Sequence, residues 1–140
     1  MSSELSDMTL RYPGPAGSVT EVQPGAQAVL DLDDLHVSIR PGPPPVVEIS
    51  GEIDIWSGQQ LRDQLLWVMR RHGAQLTLDL GRVTFMDCAG IGVLLATRRR
   101  ARLQGGWVRI VRVSPRVQRI FALANVQQVL MPLLPHQRRS

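Results

Sequence analysis

From residue 46 onward the spacing of apolar residues switches repeatedly between two and about 3.6, and this alternation constrains the fold more than any other feature of the chain. Val46-Val-Glu-Ile-Ser-Gly51 reads as a strand. Leu61, Leu65, Val68 and Met69 then recur at helical spacing, with Leu66 widening the stripe. Ser57 is the expected N-cap of that helix; Arg70, Arg71 and His72 suit its last turn, and Gly73 its stop. Gln75–Leu80 alternates as another strand. The run from Ile91 to Leu103 is helical again, with Asp87 as N-cap, Ile91, Leu94 and Leu95 facing inward, and Gly105-Gly106 at its end. Trp107–Val113 alternates strongly, and Ser114-Pro115 opens a helix whose apolar stripe is Val117, Ile120, Phe121 and Ala124. Val126–Met131 is expected as a short final strand. Upstream, Leu35–Ile39 alternates, and the stiff Pro41–Pro45 link makes it an antiparallel edge neighbour of the next strand.

The expected order is therefore ββαβαβαβ. Repeated strand–helix–strand units imply an α/β fold with a mixed, mainly parallel sheet, and right-handed crossovers in sequential order put the helices largely on one face. The 140 residues suffice for one domain. Its expected limits are 34–131, after a flexible, acidic, Pro/Gly-rich extension over 1–33 and before a disordered basic tail over 132–140.

Charge divides the chain the same way. Residues 1–34 hold Arg11 against six acidic residues, whereas the remainder holds fifteen arginines against six; there is no lysine. Arg98, Arg99, Arg100 and Arg102 cluster on one helix. No helix-turn-helix pattern, zinc-finger spacing or aromatic-interleaved basic strand accompanies them, so no nucleic-acid partner is expected. They read as a solvated helix face or a surface for an acidic protein. No apolar run approaches the ~20 residues of a membrane span, and no basic-then-apolar leader opens the chain, which points to a cytoplasmic protein with no membrane partner. One cysteine, Cys88, and three scattered histidines, His36, His72 and His136, give neither a disulfide nor metal-ligand spacing. A phosphate-cradling lysine motif is absent too, so neither a metal nor another cofactor is expected.

In parallel α/β sheets the loops after the strand C-termini carry function. Two stand out here: Gly51-Glu-Ile-Asp-Ile55 and Phe85-Met-Asp-Cys-Ala-Gly90. On adjacent strands they would bring Glu52, Asp54 and Asp87 to the N-terminus of the helix after residue 87, where free N–H groups favour an acceptor. Neither loop contains a histidine, and no nucleophile–base pairing follows from position, so the chain is not expected to be an enzyme. Cys88 reads either as a small packed side chain or as a reactive thiol at a helix start. Trp56 reads equally as core or as an interface anchor.

The ordered set Gly51-Glu-Ile-Asp54, Leu78-Asp-Leu80, Phe85-Met-Asp-Cys-Ala-Gly-Ile-Gly-Val93, Gly105-Gly106 and Val113-Ser-Pro-Arg-Val117 followed by Phe121 resembles the STAS-domain anti-sigma factor antagonists. The resemblance covers about residues 35–131 and implies a STAS-type single domain in a cytoplasmic bacterial regulator of transcription. Such an antagonist binds an anti-sigma factor, usually also a serine kinase of the histidine-kinase ATPase fold, and so releases the sigma factor. It implies partner-binding roles for Glu52, Asp54, Asp87, Cys88, Gly90 and Ile91, with Gly90 and Ile91 allowing close helix approach. In the family a serine after the loop aspartate is phosphorylated to end binding. Here Cys88 occupies that modification position and Ala89 follows, so the resemblance implies an antagonist that serine phosphorylation does not switch. The alternatives are a ligand- or nucleotide-sensing STAS module of a sensory or transport complex, and a redox sensor built on Cys88.

Overall fold

The computed structural model describes residues 27–131. Five strands, β1 (Gln27–Asp31), β2 (Leu35–Arg40), β3 (Val46–Ile53), β4 (Gln75–Met86) and β5 (Trp107–Val113), form one sheet in sequential order. β1, β2 and β3 pair antiparallel; β3, β4 and β5 pair parallel. Four helices follow: α1 (Ile55–His72), α2 (Cys88–Leu103), α3 (Pro115–Leu123) and α4 (Gln127–Leu130). The two crossovers β3–α1–β4 and β4–α2–β5 step along the sheet in one direction, which puts α1 and α2 on the same face.

Register makes that face apolar. Val37 lies opposite Ile49, Val47 opposite Leu78, and Leu78 opposite Ile110. Against them pack Leu61, Leu65 and Val68 of α1, Leu94 and Ala101 of α2, and Val117 and Phe121 of α3, all buried. Because strand side chains alternate, the residues one step along face the other way. Ser38, Glu48 and Asp79 thus form a polar row, and the register shift between Leu78 and Asp79 sets Arg112 opposite Asp79 to extend it to a fourth strand. Arg40 Nη2 donates to Glu48 at 3.0 Å, and Arg112 donates through Nη2 and Nε to Asp79 Oδ2 at 2.5 and 3.1 Å. Burial alone would raise the Asp79 pKa; the Arg112 guanidinium and the Gly81 N–H outweigh it and hold the carboxyl below its usual range.

Four local expectations need correction. The body starts before residue 34: β1 pairs with β2, and a register shift between Ala28 and Leu30 lets consecutive Val29 and Leu30 both be buried. β4 runs on through Gly81 to Met86 instead of ending at Leu80, because bulges on either side absorb the irregularity. Residues 126–131 form α4 rather than a strand. Val126, Val129 and Leu130 are spaced i, i+3, i+4; the Leu130 N–H bonds the Val126 carbonyl at 2.9 Å and only Leu130 of the three is buried. The helix that Ser57 was expected to cap begins at Ile55, with Asp54 as its N-cap. Elsewhere the caps are as expected: Asp87 starts α2, Ser114 with Pro115 starts α3, and Gly73 stops α1. The parts of the expected extension and tail over 1–26 and 132–140 lie outside the described residues.

Candidate functional site

The C-terminal ends of β3 and β4 lie side by side, with Ile53 opposite Met86, and the Asp87 N–H bonds the Ile53 carbonyl at 3.3 Å. Helices α1 and α2 therefore start next to each other. Asp54 Oδ1 accepts from the Trp56 and Ser57 N–H groups at 2.9 Å each, while Ser57 Oγ accepts from the Asp54 N–H at 3.0 Å. This reciprocal capping box fixes the first turn of α1. The Ser57 hydroxyl also reaches the Glu52 carbonyl at 3.0 Å, tying the turn to the strand before it. The Ser57 N–H bond is the main cause that holds the Asp54 carboxyl below its ordinary pKa. Asp87 Oδ1 performs the same service for α2, accepting from Ala89 and Gly90 N–H at 2.9 and 3.3 Å.

A third turn joins the pair. The Glu52 N–H bonds the Asp34 carbonyl at 2.7 Å, and Gly51 there has φ of 104°, with any Cβ landing 2.0 Å from Asp34 O. Only glycine fits that crossing. Asp33, Asp34 and Glu52 are consequently exposed at the same end as Asp54 and Asp87.

The expected site residues separate into two groups. Asp54 and Asp87 do not share one helix N-terminus; each caps its own helix. Glu52 and Cys88 are exposed, the thiol at the first position of α2. Gly90 and Ile91, expected to allow close helix approach, are buried. A Cβ on Gly90 would lie 2.5 Å from Met86 Cγ and 3.0 Å from Ile53 Cγ2, so its absence lets α2 settle onto the strand ends.

Trp56 resolves to the surface: it is 83% exposed and its neighbour Ile55 63% exposed. Phe85, opposite Glu52 at the end of β4, is also partly exposed, which its place in the loop motif did not signal. Between α1 and α2 runs a shallow groove of about 220 Å³, lined by Ile55, Gly58, Gln59, Arg62, Ala89, Gly92, Val93 and Ala96. Its signal in the sequence was the small-residue series Ala89, Gly92 and Ala96, spaced by three and four on one side of α2. Apolar anchors, a small-residue groove and a carboxylate rim form a surface that can hold another protein. Among the described residues no three His, Cys, Asp or Glu side chains gather as a metal site, and no helix is long and apolar enough to cross a membrane.

Comparison with known proteins agrees with this architecture. The family described as "Mlab, STAS domain" matches residues 38–135. The anti-sigma-B factor antagonist of Bacillus subtilis (strain 168) is 33% identical over 84 residues, covering 60% of this chain and 76% of that one. The anti-sigma F factor antagonist of Paenibacillus polymyxa is 28% identical over 93 residues, covering 66% and 79%. Among solved structures, an anti-sigma factor antagonist from Mycobacterium paratuberculosis superposes with a TM-score of 0.62 at 25% identity, covering 74% of this chain and 91% of that one. The unphosphorylated anti-sigma factor antagonist SpoIIAA, at 19% identity, shares the fold with a TM-score of 0.59, over 72% and 90%.

Proposed function

Because the chain belongs to the STAS domain family, we propose that it is an anti-sigma factor antagonist, a binding module that occupies an anti-sigma factor and performs no chemistry of its own. The observation that carries this reading is the exposed pair Ile55 and Trp56 beside the α1–α2 groove, at the end of the sheet where both helices start. Relatives bearing that name over most of their length support it. Large exposed apolar side chains are unfavourable in water and become interface anchors when a partner covers them. Asp33, Asp34 and Glu52 supply a rim that steers a basic partner surface. The partner on this reading is an anti-sigma factor that is also a serine kinase of the histidine-kinase ATPase fold, met in the cytoplasm.

We read Cys88 as the reason the complex is not ended by serine phosphorylation. It stands first in α2, exposed, where a phosphorylated hydroxyl would add roughly −1.5 to −2 charge beside Asp87. A thiol cannot form the equivalent stable serine ester, and Ala89 has no hydroxyl. The neighbouring hydroxyls are engaged: Ser57 in the capping box, Thr84 on the Gly51 carbonyl at 3.3 Å.

The test uses purified ATPase-fold anti-sigma factors with the full chain, wild type and two variants. Trp56→Ala should bind about 30-fold more weakly, the loss of an interface anchor of roughly 2 kcal/mol. Equal affinity would remove this surface from the interface. With ATP, mass spectrometry should find phosphate at position 88 only in Cys88→Ser; stoichiometric phosphate on wild-type residues 84–89 would refute the phosphorylation-blind reading. The exposed thiol supports a second reading, in which peroxide oxidises Cys88 and weakens binding. It requires wild type, and not Cys88→Ala, to lose affinity after peroxide treatment.

A further inference from the structure

Helices α1 and α2 both end at the pole of the molecule opposite the capped loops, because each follows a parallel strand and returns to the start of the next. Their ends touch: the Trp107 N–H bonds the Ala74 carbonyl at 2.9 Å, and Gly106 packs so closely that a Cβ would lie 2.2 Å from that oxygen. Segments 40–46, 70–76 and 98–109, which build this pole, contain no aspartate or glutamate. They present exposed Arg70, Arg99, Arg100 and Arg102, none of which makes an ion pair among the described residues. Arg109 is stacked on the Trp107 ring, 4.5 Å from its centroid.

Positive side chains at helix C-termini offset the helix dipole, but two helix ends together amount to roughly one negative charge. The four unpaired guanidinium groups exceed that several-fold. In their midst Leu103 is 73% exposed. At 100° per residue, Arg102, Arg99 and Arg100 spread over about 160° of the α2 surface, and Leu103 falls between Arg99 and Arg100. An apolar centre within a charged rim is the anatomy of a protein interface. A single-stranded nucleic acid wants a groove and a row of stacking aromatics, and a bilayer wants more apolar surface than one leucine.

We infer that this basic pole is a second docking surface, built for an acidic amphipathic segment of another protein, with Leu103 as its apolar contact and the surrounding arginines as carboxylate partners. It stands apart from the proposed function, since the 16-residue α2 separates it by roughly 24 Å from the Trp56 end. Both ends can be occupied at once.

Fluorescence anisotropy at 50 mM salt tests the proposal with the full chain and three probes. They are a labelled 16-residue peptide with glutamate and leucine on opposite helix faces, a leucine-free glutamate peptide of equal charge, and a 20-nucleotide oligothymidylate; sedimentation with phosphatidylglycerol vesicles covers the lipid case. The amphipathic peptide should bind best. Arg99→Ser/Arg100→Ser/Arg102→Ser should weaken it about tenfold or more, and Leu103→Ser about fivefold. These side chains are exposed, so circular dichroism of the variants should match wild type, with Tm lowered in the triple variant only by the lost helix-end charges and poorer helix propensity. No binding of the amphipathic peptide, binding indifferent to Leu103→Ser, or equal preference for oligothymidylate or vesicles would each overturn the proposal.

Discussion

Gly90→Ala tests whether the packing at the start of α2 is as tight as the geometry requires. The new methyl would sit 2.5 Å from Met86 Cγ and 3.0 Å from Ile53 Cγ2, both well inside a carbon–carbon contact of about 3.5–4.0 Å. Met86 is unbranched and can swing away; Ile53 is β-branched and fully buried, so it cannot. Overpacking of this kind costs about 1–3 kcal/mol, and the better helix propensity of alanine returns up to about 1 kcal/mol. The net expectation is a loss of about 1–2 kcal/mol, or a fall in Tm of about 5–10 °C for a body of this size. Urea unfolding and a thermal melt measure it. The decisive assay is a double-mutant cycle with Met86→Ala, which removes the nearer clashing atoms. Gly90→Ala should then cost markedly less than in the wild-type background, giving a coupling of about 1 kcal/mol or more. Strict additivity, or a Gly90→Ala protein as stable as wild type, would refute the claim that a bare backbone is needed there.

Three further outcomes follow from other contacts. Gly106→Ala should destabilise more than Gly90→Ala, and no neighbouring side-chain substitution should rescue it, because the obstacle is the Ala74 backbone carbonyl at 2.2 Å; urea titration of the single and paired variants checks this. Asp54→Ala should cost about 1 kcal/mol through loss of the α1 cap and its capping box, read as a lower urea midpoint at unchanged m-value. The Asp79 pKa is lower folded than unfolded, so its contribution is complete above the ordinary carboxylate value of 3.8 and is lost as pH falls below it towards the folded pKa. Acid unfolding of Asp79→Asn should accordingly show a shallower loss of stability below about pH 4 than wild type.

The alternation of apolar spacing was enough to read the parallel part of the sheet, since each period-two run and each helical stripe reports its own burial. Where burial did not follow a simple period, reading failed. Val29 and Leu30 are consecutive and both inside, which only a register shift makes possible. The segment 126–131 was short and apolar, and its i, i+3, i+4 spacing lost out to its resemblance to a strand. At the site, the adjacency of the two loops followed from strand order, and Asp87 as a cap followed from residue type. The capping partners of Asp54 and Ser57 were exchanged, because both residues are good caps three positions apart and only the backbone decides between them. Whether Trp56 faces in or out depends on where α1 begins, and residue type alone does not choose between Asp54 and Ser57 as its cap.

The polar row across the sheet bears on how copies of this domain can meet. A bare sheet is ordinarily an invitation to stack with its twin and exclude the water between them. Here Arg40 pairs with Glu48 and Arg112 with the buried Asp79, and stacking would strip water from the exposed Arg112 and the part-exposed Arg40 and Glu48. Among the described residues this face carries paired charges in place of an apolar surface, and back-to-back assembly is thereby disfavoured.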